Sequence, residues 1–228
     1  MTTEIIKSLN DIVKIEKHIS VFLNRKTGTS LPYINLEVAY EKLIPSENHG
    51  SRVFFALLDL KMNFVILQID SFNSGAIWNS QTSIKKEENQ SILDNSNLFL
   101  KRLEIYYHDS NFIPRYRAMW DKIMGILLLI SSEEHYKIYN SSKSKKKAFK
   151  KLSKEVHFLN DNFINILEHI QEFDDTFRTQ EIHRFGSLRK FSFLDSPHNS
   201  KEYILLKNSW NVMIQMLSNL DILIKNIK

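Results

Sequence analysis

Apolar side chains recur at three- and four-residue steps along most of this chain. In residues 3–23 the recurring apolar positions are Ile5, Leu9, Ile12, Ile19 and Phe22. Steps of this length place side chains on one face of an α-helix. Thr2 or Thr3 is a suitable N-cap, because a threonine hydroxyl accepts a hydrogen bond from a free backbone N–H at a helix start. The pattern predicts an amphipathic N-terminal helix.

Breaks in this pattern separate the next helices. Glycines and prolines punctuate residues 24–50, which predicts a connection that holds a short element at 35–44. A second helix is predicted over 51–72, and the residues expected to point inward are Phe54, Phe55, Leu58, Met62, Val65 and Ile69. Residues 73–90 are rich in Asn, Ser, Gln and charged side chains, so we expect a surface loop there.

Apolar periodicity resumes at Ile92 and is interrupted by Pro114. A proline is well tolerated in the first turn of a helix, so a new helix is predicted over 114–131. Its apolar stripe contains Tyr116, Trp120, Ile123 and Leu127, and Arg115 and Arg117 are expected to point elsewhere. Tyr106, Tyr107 and Trp120 are expected to fill the core. Ser131–Glu134 is expected to end that helix or to begin a loop. Two further amphipathic runs cover 145–172 and 200–227.

The composition supports an all-α fold. The chain has five Gly and four Pro in 228 residues, which favours long helices over a turn-rich β fold. We expect one domain over 1–228, with an N-terminal helix and connection at 1–50 and a helical bundle at 51–228. The absence of cysteine excludes disulfides and thiol catalysis. The longest strictly apolar run is Ile126–Ile130, and the N-terminus lacks a signal-peptide pattern, so a cytoplasmic protein without a membrane span is expected.

One polar segment between the last two amphipathic runs carries candidate chemistry. In Phe177–Gly186, Arg178 and His183 are five residues apart. An imidazole exchanges protons near neutral pH, and a guanidinium holds a phosphate through two hydrogen bonds. Together they suffice for acid–base phosphodiester chemistry without a metal. A second Arg–His pair, Arg102 and His108, lies within an apolar and aromatic pattern and is interpreted as core.

The segment Arg178-x4-His183, between two long helices of an all-α chain, resembles the R-x4–6-H motif of the HEPN superfamily. The upstream run Tyr106–Ile123 is similar to a segment of one bacterial HEPN-like family, so the resemblance covers about residues 91–227. It implies an up-and-down helical bundle with additional N-terminal helices. It also implies a dimeric, metal-independent endoribonuclease without a cofactor, of the toxin or phage-defence class, with RNA, a second copy, and an antitoxin or defence-system protein as partners.

The resemblance also implies roles for individual residues. Arg178 and His183 would be catalytic, with Thr179, Glu181 and Arg184 in support. Thr179 stands where related proteins often have Asn, Asp or His, and it can still orient His183, since residues four apart share a helix face. Phe185 stands where one tyrosine-modified toxin subgroup has Tyr, so membership of that subgroup is not expected.

A structural interpretation of the same segment is also open. Arg178, Glu181 and Arg184 are spaced three apart, which permits a surface ladder of ion pairs. On an ideal α-helix Arg178 and His183 differ in direction by about 140°. They therefore need an irregular helix or a partner chain to share one pocket, and a symmetric dimer meets that condition. The alternative function is a non-catalytic helical module that binds nucleic acid, a nucleotide or a protein.

Clustered basic residues permit a polyanionic partner. Lysines recur at helical positions from 145 to 154, and the motif is followed by two more basic residues; the candidate RNA-phosphate contacts are Lys145, Lys146, Lys147, Lys150, Lys151, Arg189 and Lys190. Such a cluster is typical of an RNA-binding surface or, alternatively, of an ordinary solvated helix face. The net charge of +5 permits either interpretation. The sequence contains no Gly-rich phosphate loop and no HExxH metal motif, so no metal site is predicted.

Overall fold

The computed structural model describes residues 8–86, 91, 94–159, 166–182, 186–194 and 200–227. Within these ranges the chain is all-α, as predicted, with nine α-helices and no β-strand. The helices are α1 Leu9–Thr27, α2 Leu36–Leu43, α3 Glu47–Lys86, α4 Ser96–Ser131, α5 Glu133–Ser141, α6 Lys145–Leu152, α7 Ile166–Phe173, α8 Ser187–Phe193 and α9 Ser200–Lys225. Short 3-10 turns cover Ile44–Ser46 and Ser153–Glu155, and a π-helical segment, Asp174–Ile182, continues directly from α7.

Side-chain caps fix two of the helix starts. The Asn35 side chain accepts a hydrogen bond from the Val38 N–H at 3.1 Å, and α2 begins at the next residue. Ser132 accepts from the His135 N–H at 3.0 Å at the start of α5. Both residues belong to the types that satisfy free N–H groups at helix starts. The short element predicted at 35–44 is therefore confirmed, whereas α5 was missed. The predicted cap at Thr2 or Thr3 lies outside the described residues.

Two helices are longer than predicted. The loop expected from residue 73 is wrong as far as Lys86, because α3 continues without a break to that residue. Ser74 lies within this stretch and is buried. Pro114 lies inside α4 and does not begin a new helix, so the predicted start at 114 is also wrong. Burial of Ile113 and Tyr116 on either side of the proline keeps this part of α4 packed, and that packing offsets the backbone hydrogen bond that proline cannot donate.

Another helix is shorter than predicted. The run from 145 to 172 was interpreted as one helix, but α6 ends at Leu152 and a 3-10 turn follows. Residues 156–159 are not helical, residues 160–165 lie outside the described part, and α7 begins at Ile166. The basic connection after Gly186 forms the short helix α8. Its buried Leu188 and Phe191 are three residues apart, which is the helical spacing.

The structure divides the chain into two compact units. The first unit contains the described residues of Met1–Ile66, Met119–Leu167 and Met213–Lys228. Its core includes the predicted inward residues Phe54 and Val65 and the predicted core residue Trp120. Met62, which was also expected inside, is 46% exposed. The prediction of a single domain over 1–228 stays a prediction.

A charged side chain also lies within the first unit. Lys61 is 2% exposed, and its ammonium lies 2.5 Å from both carboxylate oxygens of Glu16. It also donates to the Ile34 carbonyl at 2.9 Å. A buried charge is tolerated when an opposite charge and hydrogen bonds satisfy it, as they do here. This arrangement joins α1, the connection after α1, and α3.

The second unit contains the described residues of Leu67–Ala118 and Glu168–Val212, and its core is rich in aromatic side chains. The Tyr116 ring lies 5.4 Å from the Phe112 ring and 4.4 Å from the Phe173 ring, between centroids. Arg117 was expected to point away from the core, but it is buried and its Nε lies 3.1 Å from Asp174. Tyr107 is 62% exposed, so its prediction as core is wrong.

The described helices include none that combines the length and the apolarity of a membrane span.

Candidate functional site

The predicted motif begins on the π-helical segment Asp174–Ile182 of the second unit. Asp174, Phe177 and Glu181 are buried, and Arg178 and Thr179 are exposed. A π-helix pairs residues five apart, unlike the four of an α-helix, and such segments are rare and frequent at functional sites. The sequence periodicity did not indicate this segment, because its register differs from the 3.6-residue repeat of the helices before it.

Arg178 presents its guanidinium to solvent. Within the part of the chain that the structure describes, Arg178 forms no ion pair and no hydrogen bond through its side chain. The first ion pair of the alternative surface ladder, between Arg178 and Glu181, is therefore not formed. Glu181 is 4% exposed and its carboxylate accepts a hydrogen bond from the Leu188 N–H. His183 and Arg184, predicted as catalytic and supporting residues, lie outside the described residues.

Glu181 holds the start of α8. Its Oε1 accepts a hydrogen bond from the Leu188 N–H at 3.0 Å. A Cβ atom at Gly186 would lie 1.9 Å from the same oxygen, so the carboxylate occupies space that only glycine leaves free. Burial raises the pKa of Glu181, the Leu188 and Arg189 N–H groups oppose that shift, and the nearby Glu202 adds to it. The predicted supporting residue Glu181 thus positions the chain after the motif.

Arg189 and Lys190, both predicted as phosphate contacts, differ in their surroundings. The Arg189 Nε donates to the Tyr106 hydroxyl at 2.6 Å, and its guanidinium carbon lies 5.9 Å from the centre of that ring. Lys190 is exposed on α8. Arg189 is therefore engaged within the second unit, whereas Lys190 remains at the surface.

A buried carboxyl group lies in the second unit and was missed by the sequence analysis. Asp109 is 1% exposed, and its Oδ1 accepts from the Ser74 hydroxyl at 2.5 Å. Burial raises the pKa of Asp109 from its usual 3.8 to about 7, although hydrogen bonds from Ser74 and Tyr203 lower it and Glu181 raises it. The same burial, together with the Asp109 charge, raises the pKa of Tyr203.

Arg102 is a second buried polar residue of α4. It donates to the Phe191 carbonyl at 3.0 Å, and its guanidinium carbon lies 4.4 Å from the Phe191 ring centre. The prediction that Arg102 belongs to the core is confirmed. A signal for Asp109 was present in the sequence, since Arg102, Asp109 and Tyr116 are seven apart and therefore share one face of a helix.

The lysines predicted as phosphate contacts lie on α6, in the first unit. The Lys145 ammonium donates to the backbone carbonyls of Tyr139 at 3.0 Å and Asn140 at 2.6 Å, so it stabilises the carboxyl end of α5. Lys146 is half-buried. Three lysines are exposed, and we call them the α6 lysine face: Lys147, Lys150 and Lys151. On the other side of α6, its apolar residues Phe149 and Leu152 are buried.

Comparison of the chain with protein-family models, with curated proteins and with solved structures gives no match. Among the described residues, His, Asp and Glu side chains form no group of three that is suited to bind a metal ion.

Proposed function

We propose that this chain is a metal-independent endoribonuclease of the HEPN type, in which Arg178 and His183 are the catalytic residues. The observation that carries the proposal is the exposed Arg178 guanidinium, which forms no ion pair within the described residues. A buried core or a surface ion-pair ladder would have given that arginine a carboxylate partner. A guanidinium that is exposed to solvent can bind a phosphate through two hydrogen bonds.

The π-helical geometry at the start of the motif supports the pairing of these two residues. Arg178 and His183 are five apart, which is the interval that a π-helix brings to one side. An ideal α-helix would separate the directions of the two side chains by about 140°. The irregular helix that the motif requires is therefore present as far as Ile182.

The proposed chemistry is transesterification within the RNA. His183 takes the proton of the ribose 2′-hydroxyl, the 2′-oxygen attacks phosphorus, and the bond to the 5′-oxygen breaks. A proton returned by the imidazolium neutralises the leaving 5′-oxygen. Arg178 stabilises the negative charge on the phosphate as the bonds change. The products are a 2′,3′-cyclic phosphate and a 5′-hydroxyl, and no metal takes part in these steps.

Replacement of the two catalytic residues tests this proposal. Arg178→Ala and His183→Ala should each reduce the rate of RNA cleavage by about 10²–10⁴, since positioned acid–base groups typically contribute that factor. Arg52→Ala and His157→Ala are matched controls, because both side chains are exposed in the first unit. Cleavage should persist in a chelator and should leave cyclic phosphate ends. Normal cleavage by the Arg178→Ala/His183→Ala double variant would contradict the proposal.

A homodimer in a cytoplasmic toxin or phage-defence system belongs to the same proposal and rests on the family resemblance. Light scattering should then give a mass of twice 26.9 kDa. The partners in that setting are RNA and an antitoxin or another defence protein. A monomer at high protein concentration would contradict the proposed dimer. The roles of Arg178 and His183 would still be tested by the cleavage assay.

The α6 lysine face favours a second candidate function, a non-catalytic module that binds nucleic acid. Its three ammonium groups lie on the exposed side of one helix, and lysine clusters bind phosphates through charge without any catalytic group. Salt-dependent RNA binding by a wild-type chain that cleaves no RNA would support this second candidate and would contradict the first.

A further inference from the structure

The exposed side of α1 is basic. Ile12, Ile19 and Leu23 are buried, so one side of this helix packs into the core of the first unit. Away from that side, four exposed basic residues point within about 100° of one another, at about 100° per residue of an α-helix. We call them the α1 basic strip: Lys14, Lys17, His18 and Arg25. From its first to its last residue the strip covers about 16 Å of the helix axis, at about 1.5 Å per residue.

The α1 basic strip lacks carboxylate partners within the described part of the chain. Elsewhere in the first unit, the exposed Arg52 forms a salt bridge with an acidic side chain. The side chains of the strip form no ion pair and no hydrogen bond with other described residues. The two acidic residues of α1 are engaged elsewhere, since Glu16 is bound to Lys61 and Asp11 accepts a hydrogen bond from Ser8.

This arrangement leaves repulsion within the helix. Lys14 and Lys17 are three residues apart and are therefore neighbours on the surface, where like charges destabilise a helix. Arg25 lies in the last turn, where the helix dipole stabilises a cation, but the two lysines lie nearer the middle of the helix and gain little from the dipole. An anion bound at the strip would offset the repulsion between them.

The neighbouring helix does not share this charge. Helix α2 packs against α1, and its exposed charged residues include both signs: Glu37, Glu41 and Lys42. Within Leu9–Thr27, by contrast, both acidic residues are half-buried and every exposed charged side chain is basic. The α1 basic strip is therefore a local excess of positive charge on one helix.

The exposed apolar residues of α1 disfavour a membrane as the partner of the strip. Val13 and Phe22 are 41% and 48% exposed, and they point in opposite directions on an α-helix because they are nine residues apart. One bilayer surface cannot take up both, whereas an interfacial helix collects its apolar side chains on one face. A protein partner is also disfavoured, since lysine is depleted at protein interfaces.

A nucleic-acid backbone matches the strip better. Lysine and arginine bind its phosphates through charge, and basic residues along one helix are the usual electrostatic footprint of such binding. Because the strip contains no Phe, Tyr or Trp, stacking on bases is not expected. Phosphate contacts hold a strand in place but carry no sequence information.

We propose that the α1 basic strip binds the phosphates of an RNA strand and does not read its bases. The proposal rests on RNA as the ligand of the proposed function, and it adds a substrate-binding surface apart from Arg178 and His183. Lys14, Lys17 and Arg25 each contact a phosphate and displace its counterions. Binding through the strip is therefore independent of RNA sequence and weakens steeply as the salt concentration rises.

Fluorescence anisotropy at several salt concentrations tests the proposal. The probe is a labelled 2′-O-methyl RNA of about ten nucleotides, which cannot be cleaved because it lacks the free 2′-hydroxyl. In the strip variant, Lys14→Gln/Lys17→Gln/Arg25→Gln, the slope of log affinity against log salt should become shallower by about 2, since each phosphate contact with a single strand contributes about 0.7. At about 50 mM salt the strip variant should bind the probe about tenfold more weakly than wild type.

A matched variant and a second probe isolate the cause. Lys137→Gln/Lys201→Gln/Lys207→Gln removes three exposed lysines that lie outside α1. Each triple variant loses three charges and lowers the formal net charge from +5 to +2, but only the strip variant should change the salt slope by this amount. Glutamine is a good helix former, so both variants should unfold at the wild-type temperature. The same sugar–phosphate chain without bases should lose as much affinity for the strip variant as the RNA probe does.

Several results would overturn the proposal. Equal salt slopes for wild type and the strip variant would do so, as would a wild type that binds no RNA probe. A wild-type affinity for the RNA probe far above that for the base-free probe would show that the bases are read. Strip-dependent binding to vesicles of phosphatidylserine and phosphatidylcholine, in a chain whose RNA binding does not depend on the strip, would identify a membrane as the partner.

The outcomes for the strip and for the catalytic pair are separable. Cleavage that still depends on Arg178 and His183 would leave the proposed function standing in each of those cases. Conversely, strip-dependent RNA binding beside normal cleavage by the Arg178→Ala/His183→Ala chain would support the strip and overturn the catalytic pair.

Discussion

The two units bury charge in different ways. In the first unit one buried cation, Lys61, is satisfied by the Glu16 carboxylate and the Ile34 carbonyl. The second unit buries several charged or titratable groups: Arg102, Asp109, Arg117, Asp174 and Glu181. Of these, Asp109 and Glu181 have pKa values raised by burial, so their charged forms are poorly accommodated.

The difference shows two uses of a buried polar group. Lys61 joins segments that are distant in sequence, because its salt bridge with Glu16 links α3 to α1. Asp109 and Glu181 of the second unit accept hydrogen bonds from the Ser74 hydroxyl and the Leu188 N–H, and burial raises the pKa of both carboxyl groups. Buried ion pairs stabilise little compared with an apolar replacement, but removing one partner is costly. Four predictions test this comparison, from the largest expected effect to the smallest.

Lys61→Met should cause the largest loss of stability. The replacement fills the same space but leaves the Glu16 carboxylate and the Ile34 carbonyl without their partner. Breaking a buried pair typically costs about 3–5 kcal/mol, and the partial exposure of Glu16 places the expected loss near the lower end. Urea unfolding measures the change. Lys14→Met, at an exposed position of α1, is the control. If Lys61→Met were as stable as wild type, the buried pair of Lys61 and Glu16 would not contribute to the stability of the first unit as we infer.

Asp109→Asn should flatten the dependence of stability on pH. The pKa of Asp109 rises from 3.8 to about 7 on folding, so the folded state binds the proton more tightly than the unfolded state. Stability associated with the protonated form is therefore complete below pH 3.8 and is lost as pH rises through about 7. Asparagine stays neutral and removes this loss, which we expect to be on the order of 3–4 kcal/mol between about pH 4 and pH 8.

The measurement for Asp109 is the difference in unfolding free energy between variant and wild type at several pH values. Asp175→Asn, at an exposed aspartate of the same unit, is the control and should keep the wild-type slope. An Asp109→Asn chain with the wild-type slope would show that the pKa of this carboxyl does not rise on folding. The predicted dependence of the unfolding free energy on the titration of Asp109 would then be wrong.

Gly186→Ala should destabilise the chain by about 1–2 kcal/mol, since the new Cβ displaces the Glu181 carboxylate from the Leu188 N–H. Glu181→Ala removes the same hydrogen bond and should cost a similar amount. The double variant should cost much less than the sum, because the methyl group then enters vacated space. Thermal unfolding of the four proteins gives the coupling. Additive losses would show that Gly186 and Glu181 act independently.

Arg52→Ala should have the smallest effect. Arg52 lies 2.7 Å from Glu133, but both side chains are well exposed to solvent. Exposed ion pairs contribute about 0.2–1 kcal/mol, and salt weakens them. The loss measured in low salt should shrink further in 1 M NaCl. A loss comparable to that of Lys61→Met would show that burial is not what separates strong from weak pairs in the first unit.

The helices themselves were largely predictable, but their ends were less so. The spacing of apolar residues predicted α1, α9 and most of α3 and α4, and the glycines and prolines of 24–50 predicted a short element where α2 lies. It failed where packing continued a helix through unfavourable residues, as at Pro114 and in the polar stretch after residue 73. After Leu152 the apolar spacing predicted that the helix continues, but α6 ends there and a 3-10 turn follows. Local propensity is a weak prior at such points because tertiary packing overrides it.

In the candidate site, too, some features were predictable from residue spacing and others depended on contacts that form on folding. The Arg178–His183 spacing and the lysine cluster were found from residue types and intervals alone, and Lys147, Lys150 and Lys151 are exposed as a phosphate surface requires. The roles of Lys145, Arg189 and Glu181 were not found, because each is set by a group that folding brings close: the end of α5, the Tyr106 hydroxyl and the start of α8.

The sequence by itself determined that this protein is helical and which faces of its main helices are apolar, because those properties depend on neighbours three and four residues apart. Tertiary structure alone decided which charged residues are buried. Lys61 is an ordinary polar position in the sequence, and the spacing of Asp109 from Arg102 and Tyr116 indicates only a shared helix face. Both side chains are buried beside partners 45 and 35 residues away. A charge enters the interior only where folding supplies such a partner, and no local pattern records that contact.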